Sequence, residues 1–126
     1  MTLQFGPSTE ITVGGSLVAI GTAAAPIRFL GAQPVRGYWR GLVFASNSPL
    51  NELAHVEVAH GGGGGGANPA NVTVGGFDRL RLTNSLLRDS NGWGLFVAPA
   101  GIITPVPVSS AGNSFSGNVL GGSNVP

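Results

Sequence analysis

The chain has no cysteine, no lysine and few charges of either sign. Without cysteine there is no disulfide framework and no thiolate to serve as nucleophile or metal ligand, and the redox compartment leaves no trace. Charged residues make up 9% of the 126, against about 25% in ordinary globular domains. The net charge is +1, carried by six arginines against five acids. No basic field exists to neutralise phosphates, so nucleic acid is excluded as a partner. No run approaches the ~18 apolar residues of a membrane-spanning helix, so membrane insertion is not expected. Nor does a basic, then apolar, leader open the sequence: Met1 is followed at once by strand-like Thr2-Leu3-Gln4-Phe5. A signal peptide of an exported parent would lie upstream. Nothing in the sequence explains why every basic residue is arginine.

What the chain does have is glycine (22), proline (9) and a 42% share of apolar residues. That share is too large for disorder, and its spacing is regular. Leu3/Phe5, Ile11/Val13, Leu17/Ala19, Ile27/Phe29, Leu42/Phe44, Val56/Val58, Val72/Val74, Leu80/Leu82 and Leu95/Val97 each place two side chains on one face of an extended segment. Turn residues punctuate the gaps, and the one run of helix formers, Ala23 to Ala25, is stopped by Pro26. The pairs return at offsets of 30 (Leu42 to Val72) and 23 (Val72 to Leu95), the mark of a solenoid. A shift of 29 lays Ile27/Phe29 on Val56/Val58 and Asn84-Ser85-Leu86 on Asn113-Ser114-Phe115. One wall is therefore expected to stack Ile27/Phe29, Val56/Val58, Leu86 and Phe115. A second stacks Leu17/Ala19, Leu42/Phe44, Val72/Val74 and Leu95/Val97. Ile11/Val13, Leu53 and Leu80/Leu82 fall on the third.

The phrases Ile11 to Thr22, Pro26-Ile27-Arg28-Phe29, Tyr38 to Leu42, and Asn51 to Val58 followed by glycines resemble right-handed parallel β-helix repeats of bacterial exported and surface proteins, the pectate-lyase-like superfamily. The resemblance spans roughly residues 3 to 120. It implies an all-β fold, a right-handed parallel β-helix; the register makes it a short three-sided solenoid of about four coils, and no helix-forming run at either end supplies a cap helix. Residues 1–126 would be a single domain, either a segment of a longer solenoid or a self-stacking unit. An extracellular or cell-surface location follows from the resemblance alone. The family includes polysaccharide lyases and hydrolases, adhesins and phage tailspikes.

Candidate chemistry is sparse. The acids are Glu10, Glu52, Glu57, Asp78 and Asp89, with no adjacent pair and no three on one wall. The converging carboxylates of a glycosidase are therefore not in view, no catalytic residue is assigned, and no cofactor is implied. His55, Glu57 and His60 form an H-x-E-x-x-H string that offers a weak metal site or, more simply, surface side chains beside a loop. Arg28 and Glu57 share an outward position under the 29 shift, and a cross-coil ion pair between them is expected. Asn84 and Asn113 are expected to form an asparagine ladder. The run Gly61 to Gly66 is expected to be a mobile surface loop.

The excursions 30–41 and 59–71 and the shorter 87–94 occupy the same connection in successive coils. They would bring Arg36, Tyr38, Trp39, Arg40, His60 and Trp93 to one ledge. Aromatic faces with arginine donors suit a glycan or a protein partner; alternatively, Trp39 and Trp93 cap the core at that corner. The functional expectation is a non-catalytic structural or adhesive module of a surface protein. Its uncapped end coils would associate with other copies or with flanking coils of a parent. The alternative is a carbohydrate-binding or carbohydrate-active β-helix of the lyase or hydrolase kind.

Overall fold

A computed structural model describes residues 1–126. Fourteen short strands follow one another around a triangular path. The first coil holds β1 (Thr2–Phe5), β2 (Glu10–Val13) and β3 (Val18–Ile20). The second holds β4 (Ile27–Gly31), β5 (Gly41–Phe44) and β6 (Glu52–Ala54), and the third β7 (Val56–Ala59), β8 (Ala70–Val74) and β9 (Arg79–Thr83). The fourth holds β10 (Leu86–Arg88), β11 (Trp93–Val97) and β12 (Ile102–Thr104), and a fifth begins with β13 (Ser114–Ser116) and β14 (Gly121–Ser123). Every strand pair is parallel. The first wall stacks β1-β4-β7-β10-β13, the second β2-β5-β8-β11-β14, and the third β3-β6-β9-β12. The chain is thus an all-β parallel solenoid, and its one helical piece is the 3-10 turn Val108–Ser110.

Alternation fills the interior. Leu42, Phe44, Val56, Val58, Val72, Val74, Leu82, Leu95 and Val97 are buried and form one core cluster with Leu53, Leu80, Leu87 and Val108. In the third coil each buried side chain stands over its counterpart in the coils on either side: Leu42 on Val72 on Leu95, and Phe44 on Val74 on Val97. A solenoid wall stabilises in this way, each rung shielding the next from water.

Three expectations about register need correction. Leu86 is not inside. It pairs with Glu57 and Ser114, while Leu87 is buried between Val58 and Phe115. Under the 29 shift Leu86 falls on the outward Glu57 and Leu87 on the inward Val58; between β10 and β13 the shift drops to 28, so Leu86 meets Ser114 rather than Phe115. Ile11/Val13 belong to the second wall, facing Leu42 and Phe44, and Ala19 belongs to the third, facing Leu53. Asn84 and Asn113 make no ladder: Asn113 accepts from the backbone N–H of Ser85 and donates to Leu82 and Val108 carbonyls, while Asn84 is exposed in a left-handed conformation.

The corners carry amides, buried at Asn51 and half-buried at Asn118, that tie coils together. Asn51 accepts from Leu17 N–H and donates to the Ser46 and Arg79 carbonyls. Asn118 accepts from Ser90 N–H and donates to the Leu87 carbonyl. Parallel strands cannot satisfy the backbone where the chain turns, and a side chain with both donor and acceptor completes the pairing there.

Candidate functional site

The corner between the first and second walls holds two long connections, 32–40 and 60–69. The 32–40 segment runs along the solenoid axis as a strap. Ser8 N–H donates to the Tyr38 carbonyl and Arg40 N–H to the Thr9 carbonyl, fixing it to the first coil. Gly37 N–H donates to the Gly61 carbonyl of the third coil, and Arg36 Nε donates to the Gly117 carbonyl of the fifth, 2.8 Å away. Trp39 is the peg of this strap. It is 0% exposed, stacks on Phe5 with centroids 4.2 Å apart, and donates its Nε1–H to the Ala59 carbonyl at 2.8 Å.

The six ledge residues therefore gather at one corner, but not as a ledge of aromatic faces. Trp39 caps the core, the simpler of its two sequence readings, and has no face left for a ligand. Trp93 is half-buried at the start of β11, between Ala70 and Gly121, with its ring against the Gly121 backbone. Tyr38 is half-buried, Arg36 is exposed and 3.6 Å from Asp89, and Arg40 is exposed beside Gly64. His60 is buried with φ +68, and its Nδ1 has no hydrogen-bond partner. Burial, and next the Arg88 charge, push its pKa below the ordinary histidine value, with Asp89 and Glu57 opposing.

His55, Glu57 and His60 do not assemble with one another or with any third acid into a metal-holding group. Glu57 is instead the centre of a charge network on the outer face of the first wall. It accepts from Arg28 Nε at 3.2 Å, as the shared outward position requires, and from Arg88 at 2.7 and 2.8 Å. Arg88 also reaches Asp89 at 2.8 Å. Burial works against the Arg88 charge, but the hydrogen bonds from Glu57 and Asp89 outweigh it and raise its pKa. On the third wall Arg81 pairs with Glu52 at 3.7 Å. Four of the five acids have defined partners or positions along coil-to-coil contacts or strands, and no two carboxylates are poised to share a proton.

The glycine run is not the uniform mobile loop expected of it. Gly61 and Gly62 are buried and Gly63 half-buried beneath the strap, while Gly64 to Gly66 are exposed. Sequence reading also passes over Phe77, which stands with Asp78 at the corner between the second and third walls. The signal was present: Gly75-Gly76 before an aromatic that belongs to no alternating pair.

No family model matches the chain, and comparisons with curated proteins and with solved structures likewise give no match.

Proposed function

We propose that the chain is a non-catalytic structural module of an extracellular or surface protein, associating end to end with copies of itself or with further coils of a parent protein. One observation carries this reading: β1, β2 and β3 each stand at the edge of their sheet and pair on one side only. A row of unpaired N–H and C=O groups is a template for another strand, and natural edges are usually guarded by charge, proline or a covering helix. Here the outward residues of β3 are Val18 and Ile20, 54% and 55% exposed. The opposite end is unlike it. There Ile102, Ile103, Val106, Pro107, Val125 and Pro126 line an apolar groove beside β12, and the prolines have no N–H to offer. The remaining chemistry fits a scaffold: ion pairs and buried amides run between coils, and the acids do not converge. The adhesive and surface assignments rest on the repeat resemblance.

Light scattering across a dilution series tests the association. The expected mass rises with concentration. It stops at twice the chain if like ends meet and continues if unlike ends meet. Ile20→Lys, a charge on the open edge, is expected to shift the equilibrium toward single chains. A mass that stays at one chain up to the highest concentration would overturn self-association and leave only pairing with further coils of a parent protein.

A further inference from the structure

Where the second wall turns into the third, the connections of the first three coils leave an open trough of about 510 Å³, lined by Gly14 to Ser16, Ala45 to Ser48, Phe77 and Asp78. That volume lies within the range of small-ligand sites. The serines hold the trough together: Ser46 Oγ donates to the Gly15 carbonyl, and Ser16 and Ser48 share a hydroxyl–hydroxyl bond of 2.6 Å. Phe77, Asp78 and Asn47 take no part in this. The Asp78 carboxylate accepts no hydrogen bond and forms no ion pair, and the Asn47 side chain makes no hydrogen bond. The backbone N–H groups of Gly15 and Asn47 have no protein acceptor.

Phe77 is the informative residue. At 78% it is the most exposed of the large apolar side chains. Its φ of +64 lies in the left-handed region, where a side chain costs roughly 1–2 kcal/mol. Its N–H donates to the Ala100 carbonyl, so the backbone is pinned and the ring is directed away from the core. One coil on, the register Val74 on Val97 and Arg79 on Ile102 places Ala100 at the same position, with φ +67. The turn therefore needs a left-handed residue but has no need of a phenyl ring. A strained, exposed aromatic without a packing role is a reason to look for a ligand.

The surroundings narrow the class. An apolar ring face stands beside a free carboxylate, a free side-chain amide and free backbone donors, and no cation lines the trough. An anionic ligand would face Asp78 without compensation, and a purely apolar one would strand the polar groups. A neutral sugar ring has an apolar C–H face and hydroxyls that both donate and accept, and it matches all three. We propose that this trough binds a neutral saccharide, with Phe77 against the C–H face and Asp78 and Asn47 on the hydroxyls. The site lies on the side of the solenoid, and the side chains assigned to the sugar, Asn47, Phe77 and Asp78, stand in the second and third coils, away from the open edge of the first.

The test is amide-resolved NMR titration of the full chain with cellohexaose, maltohexaose and chitohexaose, and with tetragalacturonate as a charged comparator. A neutral oligosaccharide is expected to shift the amides of Gly15, Asn47, Phe77 and Asp78. Phe77→Ala is expected to weaken binding about tenfold or more, and Asp78→Asn by a smaller factor. Ala100 shows that the turn accommodates alanine, so an unchanged spectrum elsewhere will certify the fold of Phe77→Ala. The proposal is overturned by any of three outcomes: no shifts with the three neutral probes, shifts at another corner, or undiminished binding by Phe77→Ala. Binding of tetragalacturonate alone would also overturn it.

Discussion

Gly61-Gly62-Gly63 and Gly64-Gly65-Gly66 are the same tripeptide, placed end to end, and the fold uses them in opposite ways. In the first, each residue is there because something else is too close. A Cβ on Gly61 would lie 2.6 Å from Asn71 Oδ1, one on Gly62 2.6 Å from Ser90 Oγ, and one on Gly63 2.5 Å from the Gly37 carbonyl of the strap. The same backbone is hydrogen-bonded: Gly61 N–H donates to Asn71 Oδ1 at 2.8 Å, and Gly63 N–H to the Trp39 carbonyl at 3.0 Å. In the second, a Cβ on Gly64 would meet only the exposed Arg40 side chain, with Nε at 2.9 Å, and one on Gly65 or Gly66 would meet nothing within 4 Å. Glycine allows both backbone freedom and close backbone approach, and composition cannot say which is in use. The deciding residue lies ten positions on. Asn71, buried, also donates to the carbonyls of Val58 and Arg88, and so pins the first half of the run to two coils.

Substituting the two halves separately makes the comparison quantitative. Gly61→Ala is expected to have the largest effect, a loss of about 2–3 kcal/mol in urea or guanidinium unfolding, from forced displacement of Asn71 and overpacking beneath the strap. Asn71 cannot simply swing aside, since doing so strands the two carbonyls it satisfies. A loss below about 0.5 kcal/mol, the scale of ordinary surface changes, would mean that the buried half of the run is not packed as described.

His60 sharpens the boundary of the packed half from the other side. It precedes Gly61 in a left-handed conformation, and its backbone carbonyl accepts from Trp39 N–H. The charged groups around its buried ring are Arg88, which disfavours the imidazolium, and Asp89 and Glu57, which favour it. The folded pKa lies below the unfolded value, so the unfolded chain binds the extra proton first as pH falls. The stability conferred by neutral His60 is therefore complete above about pH 6.5 and declines as pH falls through the folded pKa. Unfolding free energies at pH 7.5 and 5 are expected to differ in the wild type and to differ less in His60→Asn. Asparagine tolerates the left-handed backbone and does not titrate. An equal pH dependence in both proteins would remove His60 as its source.

These contrasts show where a sequence of this kind is legible. Strand existence, parallel order and most of the inner residues follow from period-2 pairs that recur, because each wall repeats the same burial problem. Arg28 and Glu57 could be paired in advance for the same reason. Corners do not repeat. The shift is 29 from β7 to β10 but 28 from β10 to β13, so the match of Asn84-Ser85-Leu86 to Asn113-Ser114-Phe115 misplaces Leu86, which lies outward on Glu57 while Leu87 lies inward on Val58. In the first coil both Ile11/Val13 and Leu17/Ala19 read as strands, but the sequence does not say which side of a corner each lies on. The connections 32–40 and 60–69 do meet at one corner, since the first wall repeats in each coil. The direction of Trp39 is set by its stacking on Phe5 in the first coil and its hydrogen bond to the Ala59 carbonyl in the third, contacts that no local pattern announces. Phe77 was missed because it breaks the alternation on which the reading depended.

The smallest effect is expected in the free half, at Gly66. Its φ lies outside the left-handed region and its Cβ position is open, so alanine introduces neither clash nor strain. Alanine also restricts the unfolded chain more than glycine does, which favours the folded state by about 0.4–1 kcal/mol where the native conformation is compatible. Gly66→Ala should therefore be neutral or slightly stabilising. Gly65, at φ +66, supplies the internal control: alanine there meets equally open space but a left-handed backbone, and should cost roughly 1 kcal/mol. The pair separates conformational strain from packing within two adjacent residues. The same unfolding measurement applies to all three variants. If Gly66→Ala lost as much as Gly61→Ala, the second tripeptide would have to be packed like the first, and the division at Gly64 would disappear.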